Sequence, residues 1–432
     1  MPLTYRDSLD WLIGTGNRGI KAGLDRIGAL LDELGHPEQG LRGVLVAGTN
    51  GKGSVCAMVD AVVRRAGLGS VMLVKPHLIS YRERIVIDGE QIPEALFAAL
   101  VERLRPAVDA VEQVAGAPTQ FEILTALGIL AAAERRPDVL ICEVGLGGRL
   151  DSTNVLDLGV AAVTNVAMDH AQYLGDTVAQ IAGEKAGILK PGNDVVTAAT
   201  GEALDVVRRQ AHTVGVRSLR VVGEDIRVEG RSLGRGGTEV DLATAEGLQT
   251  TLQVPLPGLF QATNAGVAAG VVLALRERGV PLSDDALRDG LARVHWPARL
   301  QWVPGSPILL LDGGHNPAAL QAVIPAVREL TEGRPLSILF GAMLDKDVPA
   351  MLDLLRPLGA PPVFTQMGTP RAMSAVDLAR SWGPGSRAIS SLPDALQAAQ
   401  LLAGRNGAVF VCGSLYLAGD VLRLLGQAPD LV

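Results

Sequence analysis

Cysteine is scarce in this chain. Its three thiols, Cys56, Cys142 and Cys412, lie far apart inside apolar segments. That excludes a disulfide framework and leaves buried, reduced thiols as the expectation. No Cys/His spacing typical of zinc occurs, and no nucleophile–base–acid triad stands out. Long uncharged apolar runs are missing too: no stretch approaches the roughly 20 residues needed to cross a bilayer. The opening Met1-Pro2-Leu3-Thr4-Tyr5-Arg6-Asp7 lacks the apolar core of a secretory leader. The expectation is a cytoplasmic protein without a membrane partner. Positive charge is not in excess: 39 Lys and Arg against 46 Asp and Glu leave a net charge of −7. This argues against nucleic acid as the main partner, so an anionic substrate needs a local basic site. Aromatic residues make up only 3% of the 432, yet 48% are apolar and 20% charged. That is the composition of a soluble α/β enzyme of two or three domains, not of a disordered chain.

What the chain does contain, near its start, is Gly48-Thr49-Asn50-Gly51-Lys52-Gly53-Ser54, after the apolar run Val44-Leu45-Val46-Ala47. Val55, Met58, Val59, Val62 and Val63 follow at helical spacing. Strand, glycine-rich turn and helix form the setting in which backbone N–H groups converge on phosphate oxygens. The lysine adds a point charge, and a hydroxyl there can reach magnesium. The standard phosphate-loop pattern is met imperfectly, with Val46 at its first glycine and Gly53 directly after the lysine. A tight turn is the plain alternative.

Further apolar runs at 70–74, 138–144, 160–164 and 195–197 alternate with helical patterns, the mark of a mostly parallel sheet. The cation-bearing segment 75–84 lacks periodicity and reads as a functional loop. Residues 217–254 read as an antiparallel insertion of short strands broken by glycines. After Trp296-Pro297 the alternation restarts, with strands at 308–311, 337–340, 362–365 and 408–412. The expected division is 1–296, a nucleotide-binding domain, and 297–432, a smaller Rossmann-like α/β domain.

Glu143 and His170 each follow a predicted parallel strand, at the edge where open α/β sheets bind ligands. Beside nucleotide phosphates they suit a hard metal ion, although magnesium ordinarily takes oxygens. A helix-capping carboxylate and a satisfied core histidine explain them equally well. Lys185, near a helix end, suits the helix dipole. Asp312 precedes a turn in which Asn316 caps a helix with Pro317 at its first position, or else it recognises a ribose or base. Arg299 is a phosphate clamp or a surface ion pair.

Together these segments resemble the folylpolyglutamate synthase and dihydrofolate synthase family of the Mur ligase superfamily. The likeness runs through Ile20 to Ile27, Ala47 to Ser54, Glu143-Val144-Gly145-Leu146-Gly147-Gly148-Arg149-Leu150-Asp151-Ser152-Thr153-Asn154, Asp169-His170 and Glu184-Lys185-Ala186-Gly187-Ile188. It continues in Leu311-Asp312-Gly313-Gly314-His315-Asn316-Pro317, in 341–347 and in 413–419. The resemblance implies an ATP-dependent ligase that phosphorylates a substrate carboxylate and joins it to the amino group of L-glutamate. The acceptor would be a reduced folate or dihydropteroate, and the enzyme a monomer. It implies nucleotide contacts at Thr49, Asn50, Gly51, Lys52, Gly53, Ser54, Asn264, Arg299, Asp312 and His315. Magnesium would be held by Ser54, Glu143 and His170, and Lys185 would be carbamylated, with Lys52, Lys185 and His170 acting in catalysis. The acceptor would be met by Leu24, Asp25, Arg26, Thr119, Gln120, Phe121, Glu122, Leu150, Asp151 and Ser152. Two residues depart from the family pattern. Lys75 replaces a magnesium-binding serine and is expected to touch phosphate directly, and Phe260 stands where histidine is usual. The alternatives are another Mur-type amino-acid ligase and a regulatory phosphate-loop nucleotide-binding protein.

Overall fold

The structure is a computed structural model that describes residues 3–19 and 21–427. Ile20, read above as part of a motif, and Met1 and Pro2 lie outside them. Eight strands form the large sheet: β1 (Gly43–Ala47), β2 (Ser70–Leu73), β3 (Ile85–Ile87), β4 (Glu90–Gln91), β5 (Val139–Glu143), β6 (Gly159–Val163), β7 (Asp194–Thr197) and β8 (Ser218–Val221). Their spatial order is β4-β3-β2-β5-β1-β6-β7-β8. All pairings from β2 to β8 are parallel; only β3 and β4 run against their neighbours.

A parallel strand buried on both faces must be apolar throughout, and β1 is. Val44 and Val46 pack on one side with the helices Lys52–Arg65 and Phe260–Glu277. Leu45 and Ala47 face the opposite core, with Glu94–Val114 and Gln120–Arg135. The spacing that predicted the helix after the glycine-rich turn is its buried face: Val55, Met58, Val59, Val62 and Val63 are fully enclosed.

One expectation needs correction. The stretch 217–254 is only partly an insertion. β9 (Ile226–Ser232), β10 (Thr238–Thr244) and β11 (Gln249–Val254) form a separate antiparallel sheet, but Ser218–Val221 joins the large sheet beside β7. Alternation marks a strand without saying which sheet takes it. The loop expected at 75–84 holds a short 3₁₀ turn at Tyr81–Arg84 and leads into β3 and β4, which are too short to show a period.

The remaining six strands are β12 (Gln301–Val303), β13 (Ile308–Leu311), β14 (Leu336–Phe340), β15 (Pro362–Phe364), β16 (Arg387–Ala388) and β17 (Ala408–Cys412). Their order is β12-β13-β17-β14-β15-β16, parallel except for β12, and apolar clusters cover both faces. Between the sheets the chain makes a buried turn in which Ala298 and Leu300 both hold left-handed backbone, φ 55° and 48°. Such angles are strained for residues with a Cβ. Asp312 fixes the turn by accepting from the Leu300 N–H at 3.0 Å.

Candidate active site

The carboxyl ends of β1, β2, β5 and β6 open on a cleft of about 790 Å³ whose opposite wall comes from the second α/β unit. Gly51 caps the helix Lys52–Arg65 in left-handed conformation, φ 84°, which glycine adopts without penalty. A Cβ there would stand 2.4 Å from Asn264 Oδ1, and one at Gly53 would stand 2.9 Å from Trp296 Nε1. The loop is therefore seated on residues distant in sequence. Asn165 and Thr164, just past β6, pin it: the Asn50 N–H donates to Asn165 Oδ1 at 3.0 Å, and Thr164 Oγ1 donates to Asn50 O at 2.6 Å.

Two lysines converge on this loop. Lys52 Nζ donates to the carbonyls of Gly48 and Thr49, both at 3.1 Å, and Lys185 Nζ donates to Gly48 O at 3.0 Å. Lys185 is only 4% exposed. Burial, and after it the charge of Lys52, pushes its amine down to about 7. Glu143 ends β5, 4% exposed. Burial pushes its carboxyl up, opposed by Lys52, the backbone N–H of Lys75, and Arg299. That N–H donates to Glu143 Oε2 at 3.0 Å. Ser54 is enclosed at the start of the helix.

Across the cleft, Asp169 gathers partners from the second unit. It accepts from Asn316 Nδ2 at 2.9 Å and Lys346 Nζ at 2.8 Å, and His315 Nε2 lies 3.5 Å away. Burial alone would raise this carboxyl. The hydrogen bond and charge of His315, then Lys346 and His170, hold it far below the usual range instead. Asn316 also exchanges hydrogen bonds with Asn50 of the loop. His170, in left-handed backbone at φ 51°, faces Lys346 Nζ at 3.1 Å. Burial pushes it down to about 4, the attraction of Asp169 notwithstanding, so it is a neutral acceptor. Side-chain atoms of Asp169, His170 and His315 lie within 4.8 Å of one another. Glu143 stands outside that group.

Of the residues named from the sequence for nucleotide and metal, all line the cleft: 49–54, Glu143, His170, Lys185, Asn264, Arg299, Asp312 and His315. Asp312 spends its oxygens on the N–H groups of Leu300 and Gly314. On the acceptor side, Thr119, Phe121, Glu122, Leu150, Asp151 and Ser152 line the wall. Leu24, Asp25, Arg26 and Gln120 are not among the lining residues. Arg26 is engaged by Glu122 at 3.0 Å, and Gln120 Nε2 donates to Leu12 O at 2.9 Å. Thr119 and Glu122 also form the capping box of the helix Gln120–Arg135.

Lys75, expected to touch phosphate, lines the cleft beside the phosphate loop. Its backbone is fixed by Glu143, and its stem carries the ammonium over the Phe121 ring, 4.1 Å from the centroid. Phe260 closes another stretch of cleft wall with the small residues Ala318, Ala319 and Ala322, an apolar surface of the kind a planar base packs on. From the sequence, Asn316 has only the role of a helix cap, Lys346 none beyond its motif, and Asp169 that of a neighbour of His170. Their shared signal was position: each follows a strand end or opens a helix facing the same cleft.

Comparison with known proteins agrees with this architecture. Residues 46–272 match the Mur ligase middle domain and 298–415 the Mur ligase glutamate ligase domain. A Bacillus subtilis dihydrofolate synthase/folylpolyglutamate synthase is 35% identical over 428 residues, covering 98% of this chain and 99% of that one. The Escherichia coli dihydrofolate synthase/folylpolyglutamate synthase is 31% identical over 96% of this chain and 94% of its own length. The Mycobacterium tuberculosis folylpolyglutamate synthase complexed with ADP superposes with a TM-score of 0.91 at 32% identity, covering 98% of this chain and 100% of that chain. E. coli FolC in complex with DHPP and ADP gives 0.86 at 29% identity, covering 99% and 98%. With two Mur ligase domains placed around one phosphate-loop cleft, and relatives matched along almost their whole length, the chain belongs to the folylpolyglutamate synthase/dihydrofolate synthase family.

Proposed function

We propose that this protein is an ATP-dependent amide ligase that joins L-glutamate to a folate-type carboxylate, acting as a folylpolyglutamate synthase and on dihydropteroate as a dihydrofolate synthase. The observation that carries the reading is the convergence of Lys52 and Lys185 on the Gly48 carbonyl, opposite Asp169 and its partners from the second unit. Transferring a phosphoryl group from ATP to a carboxylate brings two anions together. The protein's task is to hold them in line and neutralise charge. Lys52 and the N–H groups of the glycine-rich loop supply fixed positive ends for the phosphates. The glutamate amine then displaces phosphate from the acyl phosphate. A cleft closed from both sides protects that intermediate from water.

The oxygen donors Glu143 and Ser54 fit magnesium. A carboxyl pushed up by burial at a strand end is the kind of group a divalent cation holds ionised. His170 is the proposed third ligand, its imidazole neutral as a ligand requires. The ion would supply charge neutralisation on the phosphates. Lys185 is proposed to carry a carbamate. Its amine, pushed down to about 7, is substantially neutral at physiological pH, the form that adds carbon dioxide. We take 1–296 and 297–432 as the working domains and the enzyme as a cytoplasmic monomer. No helix among the described residues is long and apolar enough to cross a membrane.

The decisive assay follows ADP and phosphate release with tetrahydrofolate or dihydropteroate as acceptor. Release should require both the acceptor and L-glutamate. Hydrolysis indifferent to both would defeat the proposal, and the ratio of the two acceptors decides how the activities divide.

A further inference from the structure

Lys75 is the feature of the cleft that the phosphate-transfer scheme does not use. Its Nζ is buried and makes no hydrogen bond among the described residues. Its ammonium rests on the face of Phe121, 4.1 Å from the ring centroid, and its charge helps hold the Glu143 carboxyl down without a direct hydrogen bond to it. An ammonium carries three donors and is strongly hydrated, and a cation–π contact replaces only part of that hydration. A protein that keeps a charge so poorly partnered is strained unless an anion completes it.

The position says which anion. Lys75 follows the end of β2, tied through its backbone to Glu143 at 3.0 Å, and so adjoins the phosphate loop. Phe121, by contrast, opens the helix Gln120–Arg135, near Gly145 and Asp151 on the acceptor wall. The ammonium thus lies on the border between the nucleotide region and the acceptor region. We propose that Lys75 binds the carboxylate of the acceptor, holding it next to the phosphate loop, with the Phe121 ring turning aside as the acceptor enters. Resting on the ligase reading above, this assigns Lys75 to the acceptor and not to ATP. The ammonium would then exchange a ring face for a charged oxygen partner, a stronger contact.

The test compares wild type with Lys75→Met, which keeps the stem and removes the charge, and with Lys75→Arg, which keeps the charge. Dihydropteroate and ADP binding are measured separately by calorimetry, alongside KM for each substrate. In K75M, dihydropteroate Kd and KM should rise about ten- to hundredfold, the loss of one charge-assisted hydrogen bond. ADP affinity should stay within about twofold, and K75R should recover part of the loss. Unchanged dihydropteroate affinity in a folded K75M overturns the assignment and makes the ammonium structural. A loss confined to ADP affinity overturns it in favour of phosphate contact. Should K75M not fold, K75R and Lys75→Gln decide by the same two affinities. If wild type shows no glutamate-dependent ADP release with either dihydropteroate or tetrahydrofolate, the ligase reading itself fails; if wild type is active and K75M binds dihydropteroate equally well, the failure is that of Lys75 alone.

Discussion

Lys185 owes its character to where its stem ends. Nearly enclosed and 3.0 Å from the Gly48 carbonyl, it shares the loop with the charge of Lys52. Replacing it with alanine should lower turnover about 100- to 1000-fold, the scale for losing one fixed charge-stabilising group. Added short carboxylates should restore part of the rate, because they can occupy the space of a carbamate. Full activity without rescue would return Lys185 to a role at the helix end. His77 makes a different prediction. Its Nδ1 accepts from Arg84 Nε at 2.8 Å. Burial, then the charges of Arg84 and Arg423, pushes its pKa down to about 3 from 6.5. The unfolded chain therefore binds the proton first. The stability is whole above pH 6.5 and declines as pH falls toward 3. By pH 4 the decline is on the order of 3 kcal/mol before solvent screening reduces it. Gln keeps an acceptor for Arg84 but does not titrate, so thermal melts of His77→Gln should lose less between pH 6.5 and pH 4 than wild type. Equal losses would show that the acid sensitivity lies elsewhere.

At the scale of elements, the glycine-rich loop is held by its neighbours as much as by its own turn. In Gly51→Ala a left-handed residue gains a Cβ, 2.4 Å from Asn264 Oδ1. Strain of about 1–3 kcal/mol should result. We expect ATP affinity to fall at least about tenfold while the melting temperature moves by only a few degrees; calorimetric titration with ADP checks it. The loop and its helix were legible because a glycine pattern followed an apolar run and preceded a 3.6-residue spacing. The strand ends leading to Glu143 and His170 were legible from the apolar runs that precede them. Other elements were not. β12 and β16 are short edge strands of three and two residues, below the length at which alternation says anything. Ser218–Val221 looks no different from the insertion strands that follow it. The seating of Gly51 on Asn264, and of Lys75 on Phe121, joins residues that no local pattern relates. Family likeness named many of the cleft residues, but it also named Arg26 and Gln120, whose side chains turn to Glu122 and Leu12 O.

For the molecule as a whole, the cleft exists because two sheets meet across polar partners. Lys346, 7% exposed, reaches from one unit to Asp169 of the other, and Asn316 reaches Asn50. Lys346→Met takes from half-buried Asp169 its shortest cationic contact, 2.8 Å, and leaves His315 as its remaining partner from the second unit beside Asn316, which for a largely enclosed charge costs up to about 3 kcal/mol. The expected result is a population with the units apart: a larger radius of gyration by solution scattering and a lower kcat, with the loop itself intact. An unchanged scattering curve together with unchanged kcat would mean that the remaining contacts suffice.

Trp296 lies against Gly53 at the start of the helix that follows the phosphate turn, at the point where the chain leaves one sheet for the other. The chain has only 4 tryptophans, so this geometry amounts to a fluorophore already installed where the phosphate loop meets the turn between the two sheets. With Trp11, Trp302 and Trp382 changed to phenylalanine, the emission of one indole would follow ADP arriving at the loop in real time, without any attached dye.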